Sequence, residues 1–420
     1  MTHAAVSGRW SYRAFLMRTP FAFAFLAMML CMPSAVAFLA QGGSHSPGLT
    51  VAAVLVLLAL VPVLRVHLRY DILGGFLLFL VIHFFVARQI ALTSTGRFAG
   101  SLMVIVLLFV AATYYAQWLI RLTPQVMDRA VRYLAWFLVA VTILAVVRLQ
   151  PLGGGIWEKP TFPFTEPSHF AAVFTPVLLA LCSRPGGRQR FVWLGVGLLT
   201  GALLQNLTVL VGVMLVVVIT APIWQFCIVL VVVVAAATQI DLTYYLSRLD
   251  FSVQTQNLSS LVYLQGLDFI QQSFARTWGW GVGFQQLGFT PLHSPATLVI
   301  YSLNSGSFLN LQDGGFVAAK ALSELGVFGA VLIGVMTIAA VRAALILRRS
   351  ALTGNPIDPR RRFCLAITAG YLIDIYVRGV GYFSATTMFL GIAIFALSAM
   401  RKANVVDTWQ SPGTARSPKS

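Results

Sequence analysis

Residues 51–64 read Val51-Ala-Ala-Val-Leu-Val-Leu-Leu-Ala-Leu-Val-Pro-Val-Leu64, with neither a charge nor an alternation. A barrel strand alternates lipid-facing and lumen-facing residues over ~10 positions; this run does not, and neither does Cys227 to Ala237. Apolar runs recur in blocks of about 16 to 22 residues, the length that crosses a ~30 Å hydrocarbon layer at ~1.5 Å per residue. Of 420 residues, 58% are hydrophobic and 10% charged, and the mean hydropathy is +0.84. A soluble domain carries roughly 25% charged residues, so this chain lacks the means to cover a water-facing surface. An all-α polytopic membrane protein is expected and a soluble enzyme is excluded.

Apolar spans read against basic loops give twelve predicted helices, near 20–40, 49–64, 71–87, 99–119, 133–148, 167–182, 191–205, 207–221, 223–239, 316–341, 363–382 and 384–400. The formal charge of +17 is explained by where the 29 Lys and Arg fall. With a cytoplasmic N-terminus, 21 of them lie on the inside and 8 on the outside. The positive-inside rule therefore predicts both termini in the cytoplasm, and attributes the basic charge to orientation and anionic lipid, not to nucleic acid. The expected organisation is a cytoplasmic segment 1–19, one transmembrane domain 20–402 and a disordered cytoplasmic tail 403–420 rich in Ser, Pro and Gly. The first span, longer than a typical signal h-region, is expected to stay uncleaved. Cys31, Cys182, Cys227 and Cys364 lie in or at the ends of predicted helices without metal spacing, which argues against disulfides and zinc.

Two outside segments exceed a simple connection, 150–166 and 240–315. Long loops are usually functional, so the chemistry is expected there. Between Asn257 and Arg276, Leu258, Leu261, Val262, Phe269 and Ile270 recur at helical spacing opposite Gln265, Asp268, Gln271 and Gln272, which predicts an interfacial or lidding helix. In Arg276-Thr-Trp-Gly-Trp-Gly-Val-Gly-Phe284 the glycines permit tight turns, and Trp278 and Trp280 suit the headgroup level.

Charged and imidazole side chains near the spans supply candidates. Asp374 and Arg378, and Lys320 and Glu324, are spaced four apart, so each pair shares a helix face and is expected to form a supporting ion pair. Intramembrane charges usually face a polar cavity, and an outward-opening one is expected. His83, mid-span beside two Phe, reads as a neutral packing residue. Glu166 and His169 flank Pro167 at a helix start. Both are general-base candidates, although a carboxylate there also favours the helix dipole.

Phe164-Thr-Glu-Pro-Ser168 before a helix, then a large outside loop with Gly-Trp-Gly-Val-Gly-Phe284, then Ser323-Glu-Leu-Gly-Val-Phe-Gly329 in the next span, resemble the bacterial Wzy-type polysaccharide repeat-unit polymerases. These belong with the O-antigen ligases in one membrane glycosyltransferase superfamily, and the likeness is nearest to the exopolysaccharide branch. It extends over about residues 20–400. Two departures stand out. Asn257-Leu-Ser-Ser-Leu261 lacks the Arg that many members carry at the start of the loop helix, and Asp313-Gly-Gly-Phe316 replaces the His-Asn pair of the ligases.

The resemblance implies transfer of a growing chain from undecaprenyl diphosphate to a hydroxyl of another lipid-linked repeat, at the periplasmic face of the inner membrane. Such a reaction needs cations at the diphosphate and a base at the acceptor. Arg276, Arg378, Arg248 and Lys320 are the outside cations available, and Glu166, Asp313, His169 and His293 the candidate bases. The outside carboxylates are sparse and show no Asp-x-Asp pair, so neither a metal nor another cofactor is expected. The implied partners are the lipid-linked donor and acceptor, membrane lipid, a chain-length-regulating copolymerase and export machinery. An O-antigen ligase and a lipid-linked oligosaccharide flippase are the alternatives. No internal repeat supports the flippase.

Overall fold

Central to the bundle is the helix Pro167–Cys182, whose side chains are almost all buried. A computed structural model of the chain describes residues 12, 14–40, 42–149, 161–227, 231, 252, 255–303 and 314–410, with side chains to 401. In chain order the helices are α1 Thr19–Leu39, α2 Ser46–Leu60, α3 Tyr70–Ile90, α4 Thr95–Arg121, α5 Pro124–Val146, α6 Pro167–Cys182, α7 Gly187–Leu203 and α8 Leu207–Thr220. They continue with α9 Leu258–Thr277, α10 Pro295–Leu303, α11 Val317–Thr353, α12 Pro359–Gly370, α13 Leu372–Tyr376 and α14 Ala385–Gln410. Among the described residues there is no strand, only isolated bridges Thr161–Phe164 and Leu287–Thr290. Five helices, α1, α3, α4, α5 and α11, are long and apolar enough to cross a membrane, and α2, α6, α8 and the Ala385–Arg401 part of α14 are shorter apolar helices. The chain is thus an all-helical, membrane-embedded protein.

Helix starts follow local chemistry. Ser94, Thr123 and Asn206 accept hydrogen bonds from the backbone amides of Arg97, Val126 and Val209, satisfying donors that have no intrahelical partner. Thr123 followed by Pro124 draws α5 back to residue 124, well before the predicted 133. Apart from 223–227 and 231, the span expected at 223–239 lies outside the described residues. The last helix runs on to Gln410, into the segment expected to be a disordered tail.

Small residues let α6 act as the hub. A Cβ at Gly212 would overlap the Thr175 hydroxyl, and one at Gly370 would stand 3.0 Å from Pro176, so α8 and α12 approach the α6 backbone closely. Arginines fasten the helix ends opposite Glu166. Buried Arg190 donates to the carbonyls of Cys182 (3.1 Å), Thr220 (2.6 Å) and Ala351 (2.7 Å), closing the C-terminal turns of α6, α8 and α11. Arg360 donates to Ile120 (2.7 Å) and Leu122 (3.2 Å) at the end of α4. Terminal carbonyls carry the negative end of the helix dipole, so a guanidinium is suited to them.

α11 is broken at Gly326, whose φ of +57° and ψ of −129° interrupt the helix. The freed groups are satisfied by the glycine-rich loop after α9. Val282 and Gly283 donate to the carbonyls of Ser323 and Glu324 (3.0 and 2.9 Å), and Val327 donates to Gly279 (2.9 Å). A Cβ at Gly326 would overlap the Gly279 carbonyl oxygen. The two glycine-bearing stretches therefore interlock, and the turns expected of the loop serve to fill the helix break. Trp278 is 94% exposed. Trp280 turns inward: it stacks on His83 at 5.2 Å, its indole N–H donates to the His83 carbonyl (3.1 Å), and its own carbonyl lies 2.9 Å from His83 Nε2.

Candidate functional site

Glu166 is the residue before α6, in extended conformation (φ −141°, ψ 153°), with Pro167 opening the helix. Its carboxylate does not cap the helix backbone. Instead Oε2 accepts the Ser168 hydroxyl (2.8 Å) and lies 3.3 Å from Arg378 Nη2. Arg378 reaches it because α13 ends at Tyr376. The Arg378 amide turns back to the Ile373 carbonyl (2.9 Å), and the Gly379 amide docks on the Gly315 carbonyl (3.1 Å) before α11. Burial pushes the Glu166 carboxyl up, but the Arg378 guanidinium, His169 and the Ser168 hydroxyl outweigh it and hold the group down at about 2. The carboxylate is an ionised, paired anion.

His169 stands in the first turn of α6, and its Nδ1 is 2.6 Å from Thr165 Oγ1. The Thr165 amide in turn donates to Ser34 Oγ on α1 (3.1 Å). Buried His45, before α2, meets the His169 ring edge-on at 4.8 Å. Burial pushes the His45 imidazole down to about 3, with His169 adding to the effect and Glu166 opposing it. His45 is therefore a neutral ring at ordinary pH. Ser34, His45, Phe164, His169, Ser384 and Thr386 line a cavity of about 20 Å³, room for a single water and not for a sugar.

The expected Asp374–Arg378 ion pair does not form. The i, i+4 rule needs a continuous helix, and Arg378 lies beyond the end of α13. Buried Asp374 instead accepts the Thr386 hydroxyl on Oδ1 (2.6 Å). Glu324, fully buried, uses its carboxylate on the backbone: Oε2 accepts the Gln285 amide (3.0 Å) and Oε1 the Leu287 amide (3.1 Å). It anchors the loop that fills the α11 break. Lys320 Nζ lies 5.7 Å from the centroid of the Tyr382 ring, beside Gly381. The 377–384 segment thus meets Lys320 through Gly381 and Glu166 through Arg378.

Arg276 and His293 are elsewhere. The polar face of α9 grips the segment 291–294: Arg276 Nη1 donates to the Pro291 carbonyl (2.6 Å), Gln272 exchanges hydrogen bonds with the His293 backbone, and Asp268 accepts the Ser294 hydroxyl (2.5 Å). That face is a clasp for the protein's own chain. Arg248 and Asp313 lie outside the described residues.

His45, Thr165 and Ser34 were not among the sequence candidates. The one signal available is that His45 precedes Ser46-Pro47 at a helix start, as Glu166 precedes Pro167. Compared with models of protein families, with curated proteins and with solved structures, the chain matches none.

Proposed function

We propose that the chain is a membrane glycosyltransferase that joins undecaprenyl-diphosphate-linked oligosaccharide repeats into an exopolysaccharide. In this reading it has twelve spans with both termini cytoplasmic, and the Glu166 end of the bundle faces the periplasm. The observation that carries the reading is the Glu166–Arg378 pair, with His169 one helical turn away, at the end of the bundle where residues 161–166 lead into α6 and Gly315 leads into α11.

The chemistry follows from those groups. The acceptor hydroxyl oxygen bonds to the anomeric carbon of the donor, the bond from that carbon to phosphate breaks, and its electron pair leaves on the lipid diphosphate. Arg378 and Lys320 supply positive charge where the leaving group gains negative charge, the guanidinium by a bidentate fork and the ammonium as a point charge. Glu166 fixes the fork of Arg378. Its low proton affinity makes it a weak base, so His169, steadied by Thr165, takes the acceptor proton, and Glu166 passes from first candidate base to positioning residue. The cavity beside His169 is water-sized, so the sugar is met at the partly exposed Glu166–Arg378 pair.

Broken helices are a mark of transporters, but the break in α11 is filled by the loop 279–283 and its backbone hydrogen bonds, which does not favour transport. Deleting the gene and measuring lipid-linked sugars by mass and by membrane side tests the proposal. Single repeats accumulating on the outer side are expected. Repeats trapped inside would point to a flippase, and full-length polymer left on lipid to a ligase.

A further inference from the structure

At the end of α6 remote from Glu166, three guanidinium groups share one carboxylate. Asp128 Oδ1, on α5, lies 2.7 Å from Nη2 of Arg184, in the turn after α6, and 2.7 Å from Nη2 of Arg362, on α12. Asp128 Oδ2 lies 3.3 Å from Nη2 of Arg132. The neighbouring Asp358 and Arg360 neutralise each other at 2.8 Å. The cluster is left with two unbalanced positive charges.

The donors are unbalanced too. A guanidinium carries five N–H donors, yet each of these three groups engages through Nη2 alone, Arg184 adding a bond from that same nitrogen to the Asp128 carbonyl (3.2 Å). Nε and Nη1 of all three meet no protein acceptor among the described residues. Arg184 is only 9% exposed, and its Nε is buried without a partner. A buried donor left unpaired is costly and rare in native structures. Burial pulls the Arg184 guanidinium down to about 10; Asp128 opposes this, while Arg362 and Arg132 push it further. Forks with unused donors, held around one point by a single carboxylate, suit an oxyanion that accepts several hydrogen bonds at once.

We propose that Arg132, Arg184 and Arg362 form a phosphate-binding site, with Asp128 as the strut that holds the guanidiniums in place. The site is independent of the polymerase reading, since it lies at the other end of α6. Two sources offer the same chemistry, the headgroup of an anionic phospholipid and free inorganic phosphate.

The test uses the full-length protein, with inorganic phosphate against chloride at equal ionic strength in lipid-free micelles, and with phosphatidylcholine nanodiscs with and without phosphatidylglycerol. Thermal unfolding reads stabilisation and native mass spectrometry reads bound anion. Wild type is expected to be stabilised by at least one source. A response in micelles identifies free phosphate; a response confined to phosphatidylglycerol identifies a headgroup. Arg132→Gln, at the more exposed edge of the cluster, is expected to fold normally and bind about tenfold more weakly, the loss of one charge-assisted hydrogen bond. Asp128→Asn keeps an amide oxygen on Arg184 and Arg362 as the strut and removes the negative charge that competes with the anion. It is expected to lower the unfolding temperature yet bind the anion at least as tightly, whereas a purely structural cluster would lose stability and gain nothing. Indifference of wild type to both sources, or an Arg132→Gln response equal to wild type, overturns the proposal.

Discussion

Arg378 Nη2 and Glu166 Oε2 stand 3.3 Å apart across 212 residues of sequence, tying the start of α6 to the segment that follows α13. The pair is partly open, with side-chain exposures of 14% and 30%, so a ligand oxygen has access to the remaining guanidinium donors. Arg378→Ala is expected to abolish polymer while the protein still accumulates in the membrane, and Arg378→Lys to rescue it only in part, because the fork is lost. Polymer length on gels and protein level by immunoblot separate these outcomes. Full activity in Arg378→Ala would reduce the arginine to a packing partner of Glu166.

Glu166 has a consequence for pH. Its proton affinity is lowered in the fold, to about 2, against ~4.3 for a free glutamate. The stabilisation from its pairing is thus fully present above about pH 4.3 and is lost as the pH falls through 2. Thermal unfolding of wild type and Glu166→Gln should differ by a constant margin from pH 8 to about 5, on the order of 1–3 kcal/mol, and converge below. A margin that shrinks between pH 8 and 6 would contradict the pairing.

Histidine 169 is separable from its neighbours by substitution. Loss of a general base typically costs ~10² to 10⁴-fold in rate, so His169→Gln is expected to cut turnover by that range in an assay with purified lipid-linked repeats. Glu166→Gln is expected to cut it less. The reverse order would restore Glu166 as the base.

Gly326 carries both a left-handed φ and a backbone oxygen where its Cβ would go. Gly326→Ala is expected to destabilise the protein by roughly 3 kcal/mol or more, read as a lower unfolding temperature in detergent. Glu324→Gln keeps the shape but offers an NH₂ to a backbone amide. A loss of roughly 1–3 kcal/mol is expected, with faster proteolysis of the 279–287 loop.

The sequence discloses what continuous composition encodes. The helix Pro167–Cys182 is legible to the residue, because an apolar run begins at Glu166-Pro167 and stops at Ser183. The α11 break is not, because Ser323-Glu-Leu-Gly-Val-Phe-Gly329 sits inside one long apolar run with no proline to mark a stop, and only the inserted loop explains the conformation of Gly326. Pairing fails for the same reason: Asp374 and Arg378 look like helix neighbours until the helix ends at Tyr376, and Arg378 then finds a carboxylate on another helix. His45 carries only the mark of a helix start before Ser46-Pro47, and nothing local announces its contact with His169, which joins two different helix starts.

Arg190 gives one residue two successive jobs. While the chain is threaded into the bilayer, a cation beside an apolar segment acts as an address label, and lysine or arginine reads alike. Once the bundle closes, the same guanidinium becomes a three-way clasp on Cys182, Thr220 and Ala351, a shape that the ammonium of lysine does not reproduce. Insertion and assembly are therefore written in the same letter but obey different spelling rules: Arg190→Lys would preserve the direction of threading and loosen the seam where three helices end.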